Sequence, residues 1–191
     1  MPRPIDLSKR NDLVEKTAVY LSDNGLIDTS LRDVATALGT SARMLVYYFG
    51  TKEALFSAAL ESRRQNFRAA FDGVSSTGEL VDALELLLRE MTVGDKEPGA
   101  RLLVQILGAG SSQNSEYQAY ARAAIGEMSA GLSDALRRIG AEPADADRHA
   151  KVIGAAFRGM LIDRFTTAAP GEVDAAAEAM FAMLVDLAAR R

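Results

Sequence analysis

The chain contains no cysteine and no tryptophan, and only one histidine and five prolines among its 191 residues. Without cysteine it has neither a disulfide framework nor a thiolate metal site. No stretch approaches the roughly 18 apolar residues of a membrane-spanning helix, and Arg158 interrupts the best candidate, residues 152–162. The first residues also lack the apolar segment of a signal peptide. These absences predict a cytoplasmic protein with no membrane partner.

Strand patterns are missing as well. Alternating apolar and polar runs bounded by turn residues do not occur, and apolar residues instead recur at spacings of three and four. The sequence therefore predicts an all-α protein of about nine helices. The predicted helices cover approximately residues 7–24, 30–38, 41–48, 52–72, 79–92, 100–107, 115–139, 144–166 and 172–190.

The scarcity of reactive side chains argues against an enzyme. One histidine, no cysteine and no His-Glu-x-x-His motif leave no nucleophile–base pair and no metal-ligand set. His149 lies near Asp145 and Asp147, which makes a metal site conceivable, but a solvated first helical turn is the favoured interpretation. We therefore predict no metal, no cofactor and no catalytic residue.

Net charge is −4, which is mild evidence against a nucleic-acid partner. The charge is unevenly placed, because residues 1–56 are neutral overall and the acidic excess lies in the remainder. From Arg32 to Lys52 the only acidic residue is Asp33. A local basic footprint of this kind can bind phosphates despite a negative total charge.

The most informative segment is residues 29–49, TSLRDVATALGTSARMLVYYF. Ser30 and Asp33 form a capping pattern for one helix, and Ser41 can cap a second. Gly39, four residues after Ala35, supplies the left-handed turn residue between them. The pattern predicts a helix-turn-helix that can place its second helix in the major groove of DNA.

This segment and the Phe-x-x-Lys-Glu-x-Leu sequence at 49–55 resemble the N-terminal signature of the tetracycline-repressor family, over about residues 10–56. The resemblance implies a three-helix DNA-binding domain, which we place at residues 1–50. A helical ligand-binding and dimerisation domain would follow at residues 51–191. It further implies a homodimer that binds an inverted-repeat operator on double-stranded DNA. Repression would be relieved by a small-molecule effector.

Residues around the second helix of the motif are the candidate DNA contacts. Base contacts are predicted for Ala42, Arg43, Met44 and Val46. Phosphate contacts are predicted for Thr40, Ser41, Tyr47, Tyr48 and Lys52. An arginine can pair bidentately with guanine, so Arg43 is the main candidate, against the alternative of a solvated surface residue.

Several of these assignments have alternatives that the sequence leaves open. Met44 and Tyr48 could equally pack in the core. The family has a tyrosine where this chain has Val46, and Tyr47 is the candidate to replace its phosphate contact. Three basic residues near the N-terminus either form an arm that reaches DNA or are disordered: Arg3, Lys9 and Arg10.

The last two helices carry broad apolar faces. These faces predict a four-helix dimer interface, with an ordinary core within one chain as the alternative. The interface residues would be Val152, Ala156, Met160, Val173, Ala177, Met180, Phe181, Leu184 and Leu187.

The middle helices mix thioether, aliphatic and aromatic side chains that suit a pocket for a medium-sized apolar ligand. The pocket residues would be Met91, Leu103, Leu107, Tyr117, Tyr120, Met128 and Phe157, although each could simply fill the core. The favoured function is thus a ligand-responsive DNA-binding regulator. The alternative is a helical small-molecule-binding scaffold without specific DNA binding.

Overall fold

A computed structural model describes residues 6–63 and 66–189, and all regular structure in these ranges is helical. The all-α prediction is therefore confirmed. Within these ranges the α-helices are α1 (Leu7–Asn24), α2 (Leu31–Ala37), α3 (Ala42–Phe49), α4 (Lys52–Ser62), α5 (Thr77–Thr92), α6 (Glu97–Gly110), α7 (Gln118–Ile139), α8 (Pro143–Thr166) and α9 (Pro170–Ala189). Two short 3-10 helices, Phe67–Phe71 and Gly94–Lys96, precede α5 and α6.

Side-chain caps begin the short helices where the sequence predicts them. The Ser30 hydroxyl accepts from the Asp33 amide, and the Asp33 carboxylate accepts from the Ser30 amide at 2.9 Å. The Ser30 hydroxyl also donates to the Asp33 carboxylate at 2.6 Å, and this hydrogen bond, followed by the one from the Ser30 amide, lowers the pKa of Asp33. Ser41 accepts from the Met44 amide at 3.2 Å, and Thr51 caps α4 in the same way. Each cap satisfies an amide that the helix leaves without a partner.

Two glycines set the path of the chain between α1 and α3. Gly39 has φ +62°, the left-handed conformation predicted for the turn. Gly25, which ends α1, has φ 79° and ψ 178°, a combination that is nearly exclusive to glycine. The Leu26 amide that follows donates to Gln105 Oε1 at 2.6 Å. This hydrogen bond ties the α1–α2 connection to α6, 79 residues away in sequence.

The chain divides into two compact units. The first comprises Met1–Gln65 and Arg101–Ala121, and the second comprises Asn66–Ala100 and Arg122–Arg191. The two units differ from the domains predicted at residues 1–50 and 51–191, because α4 and most of α6 pack with the first three helices. The functional division at residue 50 stays a prediction.

The core of the first unit joins α1–α4 to α6. Leu21, Leu45, Leu55 and Phe56 are fully buried, and Ile106 of α6 is 1% exposed beside them. Helix α3 thus contributes one fully buried side chain, and its partly buried Ala42, Tyr48 and Phe49 pack against the same core.

In the second unit, α5, α8 and α9 pack against one another. Phe157 of α8 and Phe181 of α9 stack with ring centroids 6.0 Å apart, and both are buried. Phe67 and Phe71 of the first 3-10 helix are buried too. A Cβ at Gly131 would lie 2.9 Å from the Arg68 Cα, so this glycine allows the 3-10 helix to lie directly against α7.

The prediction of one continuous helix from residue 52 to 72 is wrong. Helix α4 ends at Ser62, and Asn66 caps the separate 3-10 helix through its side chain. The apolar residues at 60, 67 and 71 are spaced as on one face of a helix, but the first lies in α4 and the other two lie in the 3-10 helix. Helix α6 also begins earlier than predicted, at Glu97, because Pro98 is tolerated in a first turn.

Within the described residues, no helix is long and apolar enough to cross a membrane.

Candidate nucleic-acid interface

The turn between α2 and α3 brings two backbones close together. Ala35 of α2 is 3% exposed, and its carbonyl accepts from the Thr40 amide at 2.9 Å. Leu45 of α3 is fully buried. A larger side chain at Ala35 would separate the helices, since interiors of this kind have no spare volume. The predicted helix-turn-helix is therefore present, with α3 as its second helix.

Helix α3 presents three of its side chains outward. Arg43 is exposed, and Val46 and Tyr47 are 46% and 52% exposed. Their spacing of three and four places them on one face, opposite the buried Leu45. This outward face, Arg43–Val46–Tyr47, combines a guanidinium, an aliphatic group and a phenol. Those groups can contact guanine, a thymine methyl and a phosphate respectively.

The other predicted contacts on α3 are less available. Ala42 and Tyr48 are partly buried and pack against the core of the first unit, and Met44 is half-buried. The Tyr47 and Tyr48 rings meet edge to face, with centroids 5.1 Å apart. Tyr48 thereby supports Tyr47, so its role in packing is supported while its phosphate contact stays a prediction.

Lys52 has a structural role that the sequence did not reveal. Its Nζ donates to the Thr29 carbonyl at 3.1 Å and lies 5.4 Å from the centre of the Phe56 ring. The ammonium thus joins the start of α4 to the residue preceding the α2 cap. This contact accounts for a cation at a helix N-terminus, where the dipole disfavours it. A phosphate contact remains a prediction, but it is no longer needed to explain the residue.

The remaining polar candidates surround the N-terminus of α3. Ser41 is exposed and Thr40 is half-buried. On α1, Lys9 is exposed, whereas the Arg10 guanidinium lies 4.9 Å from the centre of the Phe49 ring. This cation–π contact ties α1 to the end of α3. Arg3 lies outside the described residues.

Comparison with known proteins supports this geometry. Residues 13–59 match the family model for bacterial regulatory proteins of the tetR family. Residues 13–59 are thus similar to the N-terminal domain of that family. The matched region extends from α1 into α4 and includes the whole outward face of α3. No curated protein matches this chain at a significant level in sequence.

Solved structures share the fold along almost the whole chain. A transcriptional regulator from Rhodococcus sp. Rha1 has 20% identity and a TM-score of 0.74, covering 93% of this chain and 96% of its own. The multidrug binding protein EbrR, solved with proflavin, has 20% identity and a TM-score of 0.69, covering 92% and 99%. GusR of Salmonella enterica has 19% identity and a TM-score of 0.67, covering 96% and 98%. At these identities the likeness shows the shared fold alone.

The predicted pocket residues are divided between the two units. Leu103, Leu107, Tyr117 and Tyr120 belong to the first and are half-buried, whereas Met91, Met128 and Phe157 belong to the second and are buried. Burial, with smaller contributions from Glu53 and Glu116, raises the pKa of Tyr117 to about 12. A pocket formed by these seven residues stays a prediction.

Each unit has a cavity of its own, and neither is lined by the predicted pocket residues. In the first unit a cleft of about 700 Å³ lies between α1 and the Gly39 turn, with Val19, Tyr20 and Leu38 in its wall. In the second unit a cavity of about 420 Å³ lies between α5 and α9, beside the ion pair of Arg164.

The predicted dimer face needs a correction for two of its nine residues. Ala177 and Phe181 are 1% and 0% exposed in the single chain, so they belong to its core and have no surface to offer a partner. Ala156, Met160, Val173, Met180 and Leu184 are half-buried. Val152 and Leu187 are 48% and 54% exposed, and Ile162 and Met183 add exposed apolar surface that the sequence pattern missed.

His149 is not in a solvated turn, contrary to the favoured interpretation. It lies in the second turn of α8, is half-buried, and has a buried Nδ1 without a hydrogen-bond partner among the described residues. Within those same residues no cluster of histidine and carboxylate side chains could hold a metal ion.

Proposed function

We propose that the protein is a sequence-specific transcriptional regulator that binds DNA through the outward face of α3. The observation that carries this proposal is the exposure of Arg43, Val46 and Tyr47 on one face of a helix whose opposite side is anchored by Leu45. A rigid helix with a donor at its start can place that donor against base edges. The family match covers all of these residues.

Selection of bound sequences from random duplex DNA tests this proposal. A dimer of such helices should enrich an inverted repeat whose half-site centres lie about 34–36 Å apart, or a multiple of that distance. Failure to enrich any sequence would contradict DNA readout. It would favour the alternative of a small-molecule-binding scaffold.

The dimer is proposed from the exposed apolar surface of α8 and α9. Met183 and Leu187 are 64% and 54% exposed, and they share one face because they lie four residues apart. Val152 and Ile162 supply similar surface on α8. Exposed apolar surface of this extent on neighbouring helices is typical of an oligomer interface.

Sedimentation provides the test of the dimer. The wild-type chain should sediment as a dimer at micromolar concentration, and Leu187→Glu should shift it to a monomer with unchanged helicity. Glu178→Gln, at an exposed polar position on the same helix, is the control. A wild-type monomer would refute the dimer without bearing on DNA binding.

We further propose that the protein acts in the cytoplasm as a repressor of transcription. A small-molecule effector would relieve this repression. The support is the family match together with the fold that this chain shares with EbrR, a protein solved with proflavin bound. An effector can release DNA only if it binds the DNA-free form of the protein more tightly. The direct test is whether a compound that stabilises the protein against heat also weakens its binding to a selected duplex.

A further inference from the structure

The cleft between α1 and the Gly39 turn has an apolar wall that is open to solvent. Its volume is about 700 Å³, which lies within the range of small-molecule sites in proteins. Val19 is part of this wall and is 49% exposed, and Tyr20 and Leu38 beside it are half-buried. The cleft thus offers apolar surface to a ligand of small-molecule size.

The two positive charges in the cleft wall already have partners. Lys16 Nζ lies 2.8 Å from the carboxylate of Asp12, and Arg63 Nε lies 3.2 Å from the carboxylate of Glu15. An anionic ligand would have to compete with these carboxylates for its cation. The charge of the wall therefore disfavours an anion.

The part of the wall formed by the last turn of α1 is negative. Asp23 and Asn24 line the cleft there, and the Asp23 carboxylate has no partner among the described residues. The Asn24 side-chain nitrogen donates to the Tyr20 carbonyl at 2.9 Å, which leaves its Oδ1 as a further acceptor. This last turn contains no basic residue, although the dipole of a helix favours a cation at its C-terminus. A cation in the cleft would supply the positive charge that the chain does not place at this helix end.

We propose that this cleft binds an organic cation with an apolar body, and that its occupation alters the DNA affinity of the proposed regulator. The ammonium group of the ligand contacts Asp23 at the C-terminus of α1, and the apolar body covers Val19 and Leu38. Both features are needed, because an exposed carboxylate alone binds a cation only weakly.

The cleft also includes the residues that join the two helices of the helix-turn-helix. Ala37, Leu38 and Gly39 all line it, and they lead directly to Ser41, the cap of α3. A ligand held against this turn is coupled to any change that the turn undergoes on DNA. The effect on DNA affinity rests on the proposed function, whereas binding of the cation in the cleft does not.

The experiment compares amines with alcohols of the same body. The full-length protein is titrated at low salt with 4-phenylbutylamine and 1-naphthylmethylamine, each beside its neutral alcohol, and binding is measured by calorimetry. At least one amine should bind about two- to thirty-fold more tightly than its alcohol, the range expected for an exposed ion pair together with a helix terminus. This preference should shrink as salt is added. Equal binding of amine and alcohol, or no binding of either amine, would overturn the proposal.

Variants of the cleft locate the site. Asp23→Asn should remove the preference for the amine and leave binding of the alcohol unchanged, whereas Val19→Ser should weaken amine and alcohol alike. Asp82→Asn, which removes an exposed acid of α5 outside the cleft, is the charge-matched control. All three positions are exposed, so the variants should keep the helicity of the wild type. An unchanged preference in Asp23→Asn would refute the site.

DNA affinity is measured on a selected duplex with and without the tighter-binding amine. A change of about fivefold or more is expected, and it should be lost in Asp23→Asn, which excludes an effect of the amine on the DNA itself. An unchanged affinity would overturn the coupling to DNA. If no duplex is bound while the amine binds through Asp23, the proposed function fails and the cation site stands. If DNA binds and neither amine does, the reverse holds.

Discussion

Replacing Gly25 by alanine tests the link between the α1–α2 connection and α6. Gly25 has φ 79° and ψ 178°, a conformation that costs a residue with a Cβ about 1–3 kcal/mol. The added Cβ would also lie 3.0 Å from both Oε1 and Nε2 of Gln105. Displacing Gln105 would leave the buried amide of Leu26 without its acceptor, at a cost of about 1–3 kcal/mol.

The two costs together predict that Gly25→Ala lowers the free energy of unfolding by about 2–6 kcal/mol. Gly39→Ala is the matched control, because Gly39 also has a positive φ, +62°, but no atom lies within 4 Å of an added Cβ. We expect Gly39→Ala to cost only about 1–2 kcal/mol, the penalty for the left-handed conformation. The free energies of unfolding of both variants are measured by urea unfolding followed with far-ultraviolet circular dichroism.

A double-mutant cycle with Gln105→Ala separates backbone strain from the lost hydrogen bond. Both single variants remove the hydrogen bond to Leu26, but the double variant can lose it only once. The double variant should therefore be less destabilised than the sum of the singles, by about 1–3 kcal/mol. Amide exchange at Leu26 should accelerate in Gln105→Ala. Additive costs, or equal costs for Gly25→Ala and Gly39→Ala, would show that Gly25 is not coupled to Gln105.

Three further predictions follow from the first unit. Asp33→Ala should lower the free energy of unfolding at neutral pH, because the lowered pKa of Asp33 means that its ionised carboxylate stabilises the fold. This difference from wild type should vanish as pH falls through and below about 4, where the carboxylate becomes protonated. A difference that persists when unfolding is measured from pH 7 to 2 would contradict the prediction. In an absorbance titration one tyrosine should ionise near pH 12, and this late transition should be absent from Tyr117→Phe. The free energy of unfolding should fall above pH 10, where only the unfolded state ionises this side chain. Ordinary titration of all five tyrosines would count against the prediction. Arg10→Ala should lower the free energy of unfolding by about 0.5–1 kcal/mol through loss of the contact with the Phe49 ring. The same substitution made in a Phe49→Leu background should have no such effect. An undiminished loss in that background would exclude the ring contact.

The sequence predicted the helix-turn-helix because its determinants are local. The cap at Ser30 is satisfied by Asp33 three residues later, and the turn needs only the conformational freedom of Gly39. Such features lie within a few residues of one another, so a single sequence displays them. The exposure of Arg43 follows directly, since Leu45 fixes which side of α3 faces inward.

Features that depend on distant parts of the chain could not be predicted in this way. The break after Ser62 reflects the packing of Phe67 and Phe71, with Gly131 allowing the close approach of α7. Local periodicity favoured a continuous helix because it contains no information about that glycine. The hydrogen bond from Leu26 to Gln105 spans 79 residues and leaves no local pattern.

The candidate site shows the same division. Lys52 looked like a phosphate ligand because its acceptor, the Thr29 carbonyl, is invisible in sequence. Phe181 looked like interface because a helical apolar stripe does not reveal whether it packs within one chain or between two.

Readout by Arg43 is tested by the affinity of Arg43→Ala for a selected duplex and for its single-base variants, with Arg148→Ala as an exposed, charge-matched control in α8. Arg43→Ala should lose about 1–3 kcal/mol of discrimination at one base pair of each half-site and little elsewhere. Arg148→Ala should behave as wild type. Equal loss on every duplex, or no effect at all, would contradict readout by the outward face of α3.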